Sequence, residues 1–142
     1  MTKLTEPDAA RIPVGDVMHR GVLTCGREES LLAVAELMAH HRVHAVVVTD
    51  AGEGAHALWG VVSDLDLAAA ASVRNLSEQT AGAAAATAVL TIGPRDTLRR
   101  ATQLMLEHGM THLVVVEGEP ARPVGVLSTL DVARALAARG GE

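Results

Sequence analysis

The chain has 142 residues, a formal net charge of −5, 49% hydrophobic and 20% charged residues, and a single aromatic residue, Trp59. That length admits one ordinary domain or two very small fused ones, and the balance is that of a folded globular protein. An acidic chain with one lysine, Lys3, no basic run and no aromatic platform is poorly equipped for nucleic acid, and no apolar run reaches the roughly 18–20 residues that cross a bilayer. The opening MTKLTEPDAARIP is polar and lacks the apolar centre of a signal peptide, and the lone Cys25 cannot close an internal disulfide. Both point to the cytoplasm, with Cys25 as a small core residue.

After a polar tail (1–11), "GVLT" at 21–24 predicts a short strand. Ser30 is a candidate N-cap, and Leu31, Val34, Ala35 and Met38 then recur at helical spacing. "HAVVVTD" (44–50) and "WGVVS" (59–63) predict two strands, and "DLDLAAAASV" (64–73) a helix. The stretch 72–82, with Ser, Asn, Gln and Gly, reads as a linker, and alanines 83–86 as a helix or a close-packed continuation of it. The same order then returns. "AVLTI" (88–92) is a strand, Asp96 or Thr97 a cap, and Leu98, Ala101, Leu104 and Met105 a helical stripe. "HLVVVEG" (112–118) and "PVGVLS" (123–128) are strands, and "TLDVARALAAR" (129–139) a helix.

The chain is therefore a duplication. Thr24 aligns with Thr91 and Met38 with Met105 at a constant offset of 67, and Gly60 with Gly125 at an offset of 65, so the loop around "DAGEGAHALW" is two residues longer in the first copy. The expected fold is α/β: two β-α-β-β-α repeats at 12–71 and 83–142, joined by 72–82, each with apolar strands covered by helices. A repeat of about 60 residues buries little surface by itself, so the two are expected to pack face to face.

The strongest signal is a doubled motif: "GVVSDLDL" at 60–67 and "GVLSTLDV" at 125–132. Tandem β-α-β-β-α units, each ending in Gly-h-h-Ser-x-x-Asp before a helix (h apolar), with a "VGDVM" opening at 14–18, resemble a pair of CBS domains, the Bateman module. The resemblance covers about 12–139. It implies two repeats related by a pseudo-two-fold axis, forming a non-catalytic regulatory module that binds AMP, ADP, ATP or S-adenosylmethionine in a cleft between the repeats. It also implies association into a homodimer. No residues remain for a second domain, and no nucleophile elbow, P-loop or Cys-His constellation suggests an enzyme.

The motif suits a nucleotide for physical reasons. Ser63 and Ser128 each begin a helix, where unpaired N–H groups attract a phosphate. Asp66 and Asp131 lie on the same first turn, where a carboxylate can accept two bonds from vicinal ribose hydroxyls. Gly60 and Gly125 leave room beside the strand. Strand positions Thr24, Thr91, Ala45, Val46 and Leu113 are candidates to flank an adenine. His44, His112 and Arg42, with Arg122, are candidates for the phosphate, because the resemblance implies cationic residues just before the middle strand; the alternative is that they are ordinary surface residues at helix C-termini, where the dipole favours His and Arg. The competing reading of Ser-x-x-Asp is a capping box that merely satisfies the helix start. Asp64 beside Asp66 makes the first site the weaker one for a polyphosphate, so the second is preferred.

The other histidines carry less. His40, His41 and His108 sit at helix C-termini, where the dipole favours them. His40 with His44 has i,i+4 spacing compatible with a metal pair, but no Cys or acidic cluster completes a site. His19 and His56 fall in expected turns. The function expected is adenosine-ligand sensing, with no cofactor required and an unidentified effector protein. A ligand-free oligomerising or partner-binding scaffold and a metal-stabilised CBS protein are the alternatives.

Overall fold

The computed structural model describes residues 10–50, 57–119 and 121–140. His56 and most of the longer first loop lie outside the described residues, as does most of the N-terminal tail.

The elements are β1 (His19–Arg20), β2 (Thr24–Gly26), α1 (Leu31–His41), β3 (Ala45–Asp50), β4 (Ala57–Ser63), α2 (Asp64–Ala71), α3 (Ala81–Ala84), β5 (Thr91–Ile92), α4 (Leu98–His108), β6 (His112–Glu117), β7 (Arg122–Ser128) and α5 (Thr129–Gly140). Short 3-10 turns at Val14–Asp16 and Leu76–Glu78 precede β1 and α3. The duplicated β-α-β-β-α order is present, and the two sheets contain β2-β3-β4 and β1-β7-β6-β5. β2 and β5 run parallel to β3 and β6, which requires a crossover, supplied by α1 and α4. The hairpins β3–β4 and β6–β7 each carry a register shift, between Val48 and Thr49 and between Val115 and Val116.

Local chemistry sets the helix boundaries. Ser30 and Thr97 accept from the backbone N–H groups of Ala33 and Arg100, as N-caps do. Asp96 instead accepts from the Gly93 N–H at 2.8 Å. α1 ends on Arg42 with φ 56° and α4 on Gly109 with φ 62°, both left-handed.

The chain forms two compact units, and their limits are not those of the sequence repeats. One is Val22–Val89; the other, the split unit, joins the segment through Gly21 to Leu90 onward. In the split unit, the Val14 and Gly15 N–H groups donate to Asp96 O (2.7 Å) and Pro94 O (2.8 Å), and Leu98 donates to Ile12 O (2.9 Å). Val22–Val89 repeats this chemistry: Ala81 and Gly82 donate to Glu29 O (2.8 Å) and Arg27 O (2.9 Å), and Leu31 donates to Gln79 O (2.9 Å). The segments 76–86 and 12–20 thus serve as structural staples. Trp59 reinforces the first of them, donating from Nε1 to Gly82 O at 3.2 Å, with the Arg27 guanidinium 3.6 Å above its ring.

Each unit has its own core. Leu31, Val34, Met38, Val46, Val48, Val62 and Cys25 fill one, and Val14, Ile92, Leu98, Met105, Leu113, Val115 and Leu127 fill the other. Cys25 is a core filler, and burial, with a lesser contribution from Glu29, pushes its thiol up to about 11.

Candidate functional site

The two Ser-x-x-Asp motifs occupy equivalent positions where a strand turns into a helix. At the start of α5, the Ser128 N–H donates to Asp131 Oδ2 (2.9 Å) and the Asp131 N–H donates to Ser128 Oγ (3.1 Å). At the start of α2, the same reciprocal pair joins Ser63 and Asp66, and Ser63 Oγ also donates to Asp66 Oδ2 at 2.9 Å. Both motifs are capping boxes, as one of the two readings expects. Capping engages one oxygen of each carboxylate and leaves the other for a second task.

The two carboxylates then differ. Asp131 is 4% exposed, and its Oδ1 lies 3.0 Å from Nδ1 of the 65%-exposed His19. His19 was expected in a turn without a role; it belongs to β1, which pairs antiparallel with β7 so that His19 faces Val126 and Arg20 faces Gly125. In the other unit Ala86 takes this position, exchanging two backbone bonds of 3.0 Å with Val61. The space at Gly60 and Gly125 is taken by these crossing segments, not left open for a ligand. A Cβ on Gly125 would sit 2.6 Å from His19 O, and one on Gly60 would sit 2.6 Å from Ala86 O.

A surface recess of about 520 Å³ opens beside Asp131, lined by Asp16, Val17, Met18, His19, Arg20, Arg134 and Ala135. It is shallow and open to solvent, and it mixes cations with carboxylates. His19, Arg20 and Arg134 escaped the sequence reading, because a two-residue strand from one repeat pairing with the sheet of the other leaves no periodic signal.

The remaining candidates divide between the units. With Ser128 and Asp131 in the split unit are Thr91, exposed at the start of β5, and His112, which pairs in register with Ser128 and whose Nδ1 is 3.0 Å from Thr111 Oγ1. In Val22–Val89, Ala45 pairs with Ser63, Thr24 is exposed, and Arg42 caps α1. His44 Nδ1 lies 3.0 Å from Asp64 Oδ2, so the nearest imidazole in that unit is engaged by the extra carboxylate. Val46 and Leu113 are fully buried, so their side chains belong to the cores. α1 ends at His41, so His40 and His44 do not share one helical face. Among the described residues, no three His, Cys, Asp or Glu side chains gather as a metal site.

Two copies of one mixed α/β unit, each with a capped carboxylate at a strand-to-helix junction, define the class of tandem CBS-repeat proteins. The CBS domain matches residues 14–73 and again 81–138, and the chain belongs to that family. Hypoxic response protein 1 of Mycobacterium tuberculosis is 26% identical over 123 residues, covering 85% of this chain and 82% of that protein. The crystal structure of hypoxic response protein I with two coordinated zinc ions superposes with a TM-score of 0.70 at 25% identity, covering 86% of this chain and 97% of that one. The CBS domain pair of protein MJ0100, in complex with 5′-methylthioadenosine and S-adenosyl-L-methionine, shares the fold at a TM-score of 0.75 and 20% identity, covering 86% and 97%.

Proposed function

We propose that this chain is a regulatory, non-catalytic module that binds an adenosine-containing ligand (AMP, ADP, ATP or S-adenosylmethionine), with the split unit as the principal site. One observation carries the reading: Asp131 is almost fully buried, its Oδ2 is satisfied by the helix cap, and its Oδ1 lies 3.0 Å from Nδ1 of His19, which lines the same surface recess. A buried carboxylate oxygen with a solvent-side partner suits vicinal hydroxyl donors. In this reading Ser128 and the N–H groups at the start of α5 take the phosphate, with Thr91 and His112 as flanking candidates. The MJ0100 pair supports the ligand class, since that protein takes two adenosine compounds on the same fold. Asp66, with Ser63, Thr24, Ala45, His44 and Arg42, forms the secondary site, weaker for a polyphosphate because Asp64 adds negative charge beside it.

The test separates recognition from capping. Asp131→Asn keeps an acceptor for the Ser128 N–H, so its cost to stability is on the order of 1 kcal/mol or less. Loss of a charged acceptor for ribose hydroxyls lowers affinity at least about tenfold. Calorimetry with the four ligands on wild type, Asp131→Asn and Asp66→Asn is expected to show the larger loss for Asp131→Asn. Unchanged affinity in both variants reduces the motifs to helix caps in a scaffold. The zinc-bearing relative makes metal content the second measurement: stoichiometric zinc in the untagged protein, or unfolding by a chelator, would favour a metal-stabilised module.

A further inference from the structure

His19 stands on the carboxylate oxygen that the ribose reading needs. Its Nδ1 is 3.0 Å from Asp131 Oδ1, while Oδ2 is held by the Ser128 N–H. A ligand approaching Asp131 through the recess meets the imidazole first, because the ring is 65% exposed and the carboxylate 4%. We propose that His19 is a proton-operated gate on Asp131, a specificity-determining residue that competes with the vicinal hydroxyls of a nucleoside for Oδ1; the inference rests on the ribose assignment of Asp131.

The duplication supplies the comparison that isolates this role. Ala86 crosses β4 at Val61 as His19 crosses β7 at Val126, and Asp66 repeats the capped carboxylate of Asp131. The Val22–Val89 unit therefore holds the same acceptor with a methyl group in place of the imidazole. Its own nearby histidine, His44, is paired with Asp64 rather than with Asp66. The gate is a property of one site, created by one residue.

Its direction follows from the charges around it. Neutral His19 can donate from Nδ1 to the ionised carboxylate; protonated His19 brings an opposite charge to the same contact, which strengthens it. The groups that face the ring are Asp16 in the 3-10 turn, Arg20 beside it on β1, and Asp131 and Arg134 on α5. β7 presents Gly125 and Val126 there, which do not titrate. Arg20 is itself anchored, donating from Nη2 to Gly15 O at 3.1 Å. Protonation of the ring at this 3.0 Å contact therefore closes the gate, and a neutral nucleoside loses affinity as pH falls.

Adenosine is the probe, since it carries the vicinal hydroxyls without a phosphate that an imidazolium would attract. Calorimetry is run in the Asp66→Asn background, so that the split unit is read, at about pH 8 and about pH 5.5, either side of the imidazole value. Affinity is expected to fall about threefold at the lower pH, a modest factor because the ring is solvent-screened. His19→Ala is expected to bind more tightly at about pH 5.5 and to lose the pH dependence. His19→Gln, which keeps polarity but cannot ionise, is expected to lose it too. A flat wild-type profile, or weaker binding by His19→Ala, overturns the gate and leaves the ribose assignment standing. If no variant binds adenosine at either pH, the ribose assignment falls and the gate with it.

Discussion

At the residue scale, two glycines explain why the duplicated motif begins as it does. Gly60 and Gly125 each lie under a crossing segment, with backbone oxygens of Ala86 and His19 only 2.6 Å from where a Cβ would be. At Gly125 the Met18 Sδ is also 2.7 Å away and can swing aside, but the His19 carbonyl is pinned in the β1–β7 pairing. Gly125→Ala is therefore expected to cost about 1–3 kcal/mol as an overpacked site, lowering the melting temperature by several degrees in a thermal scan. Gly60→Ala should behave alike, since the Ala86 carbonyl is held by the Val61 N–H. An unchanged melting temperature in both variants would mean that the crossing segments are not held there. The glycines were legible in the sequence as places needing room; what needed the room was not, because it comes from about 26 residues away in one case and about a hundred in the other.

At the element scale, the repeats solve the same helix ending with different residues. Gly109 takes the left-handed position after α4 at φ 62°, as is usual, whereas Arg42 takes it after α1 at φ 56°. Arg42 is the non-glycine residue with positive φ among those described. A side chain there is strained by roughly 1–2 kcal/mol, partly offset in glycine by the greater freedom of its unfolded chain. Arg42→Gly is expected to stabilise the protein by about 0.5–1 kcal/mol, and Gly109→Ala to destabilise it by a similar amount, read as opposite shifts of the urea midpoint. If Arg42→Gly stabilises and also weakens a phosphate-bearing ligand, the strain is retained for binding. The helices and the main hairpins were legible because caps, apolar spacing and β-branched runs are local. β1 was not, because a two-residue strand owes its existence to β7. The proposed site inherits that division: Ser128 and Asp131 stood out by their spacing, while His19 became relevant through a pairing that spacing does not encode.

At the scale of the whole molecule, leucines remain exposed on helices of both units: Leu65 on α2 is 75% exposed, Leu106 on α4 78% and Leu130 on α5 51%. Exposed large apolar groups in number favour association, and a two-fold homodimer is the commonest closed form. Light scattering at micromolar concentration is expected to give twice the chain mass of 14.7 kDa, with or without nucleotide; a monomer mass would remove the claim. Among the described residues no helix is long and apolar enough to cross a membrane. The sequence by itself determined the family-level architecture: two β-α-β-β-α repeats, their caps, and a serine–aspartate pair at each strand-to-helix junction. These depend on chemistry within a few residues, where spacing and side-chain type are sufficient. The tertiary structure decided that each compact unit borrows a segment from the other repeat, so that Ala86 lies over one motif and His19 over the other. Pairing across long chain separations is selected by the free energy of the whole packed state, which no local pattern records, and it makes two nearly identical motifs chemically different.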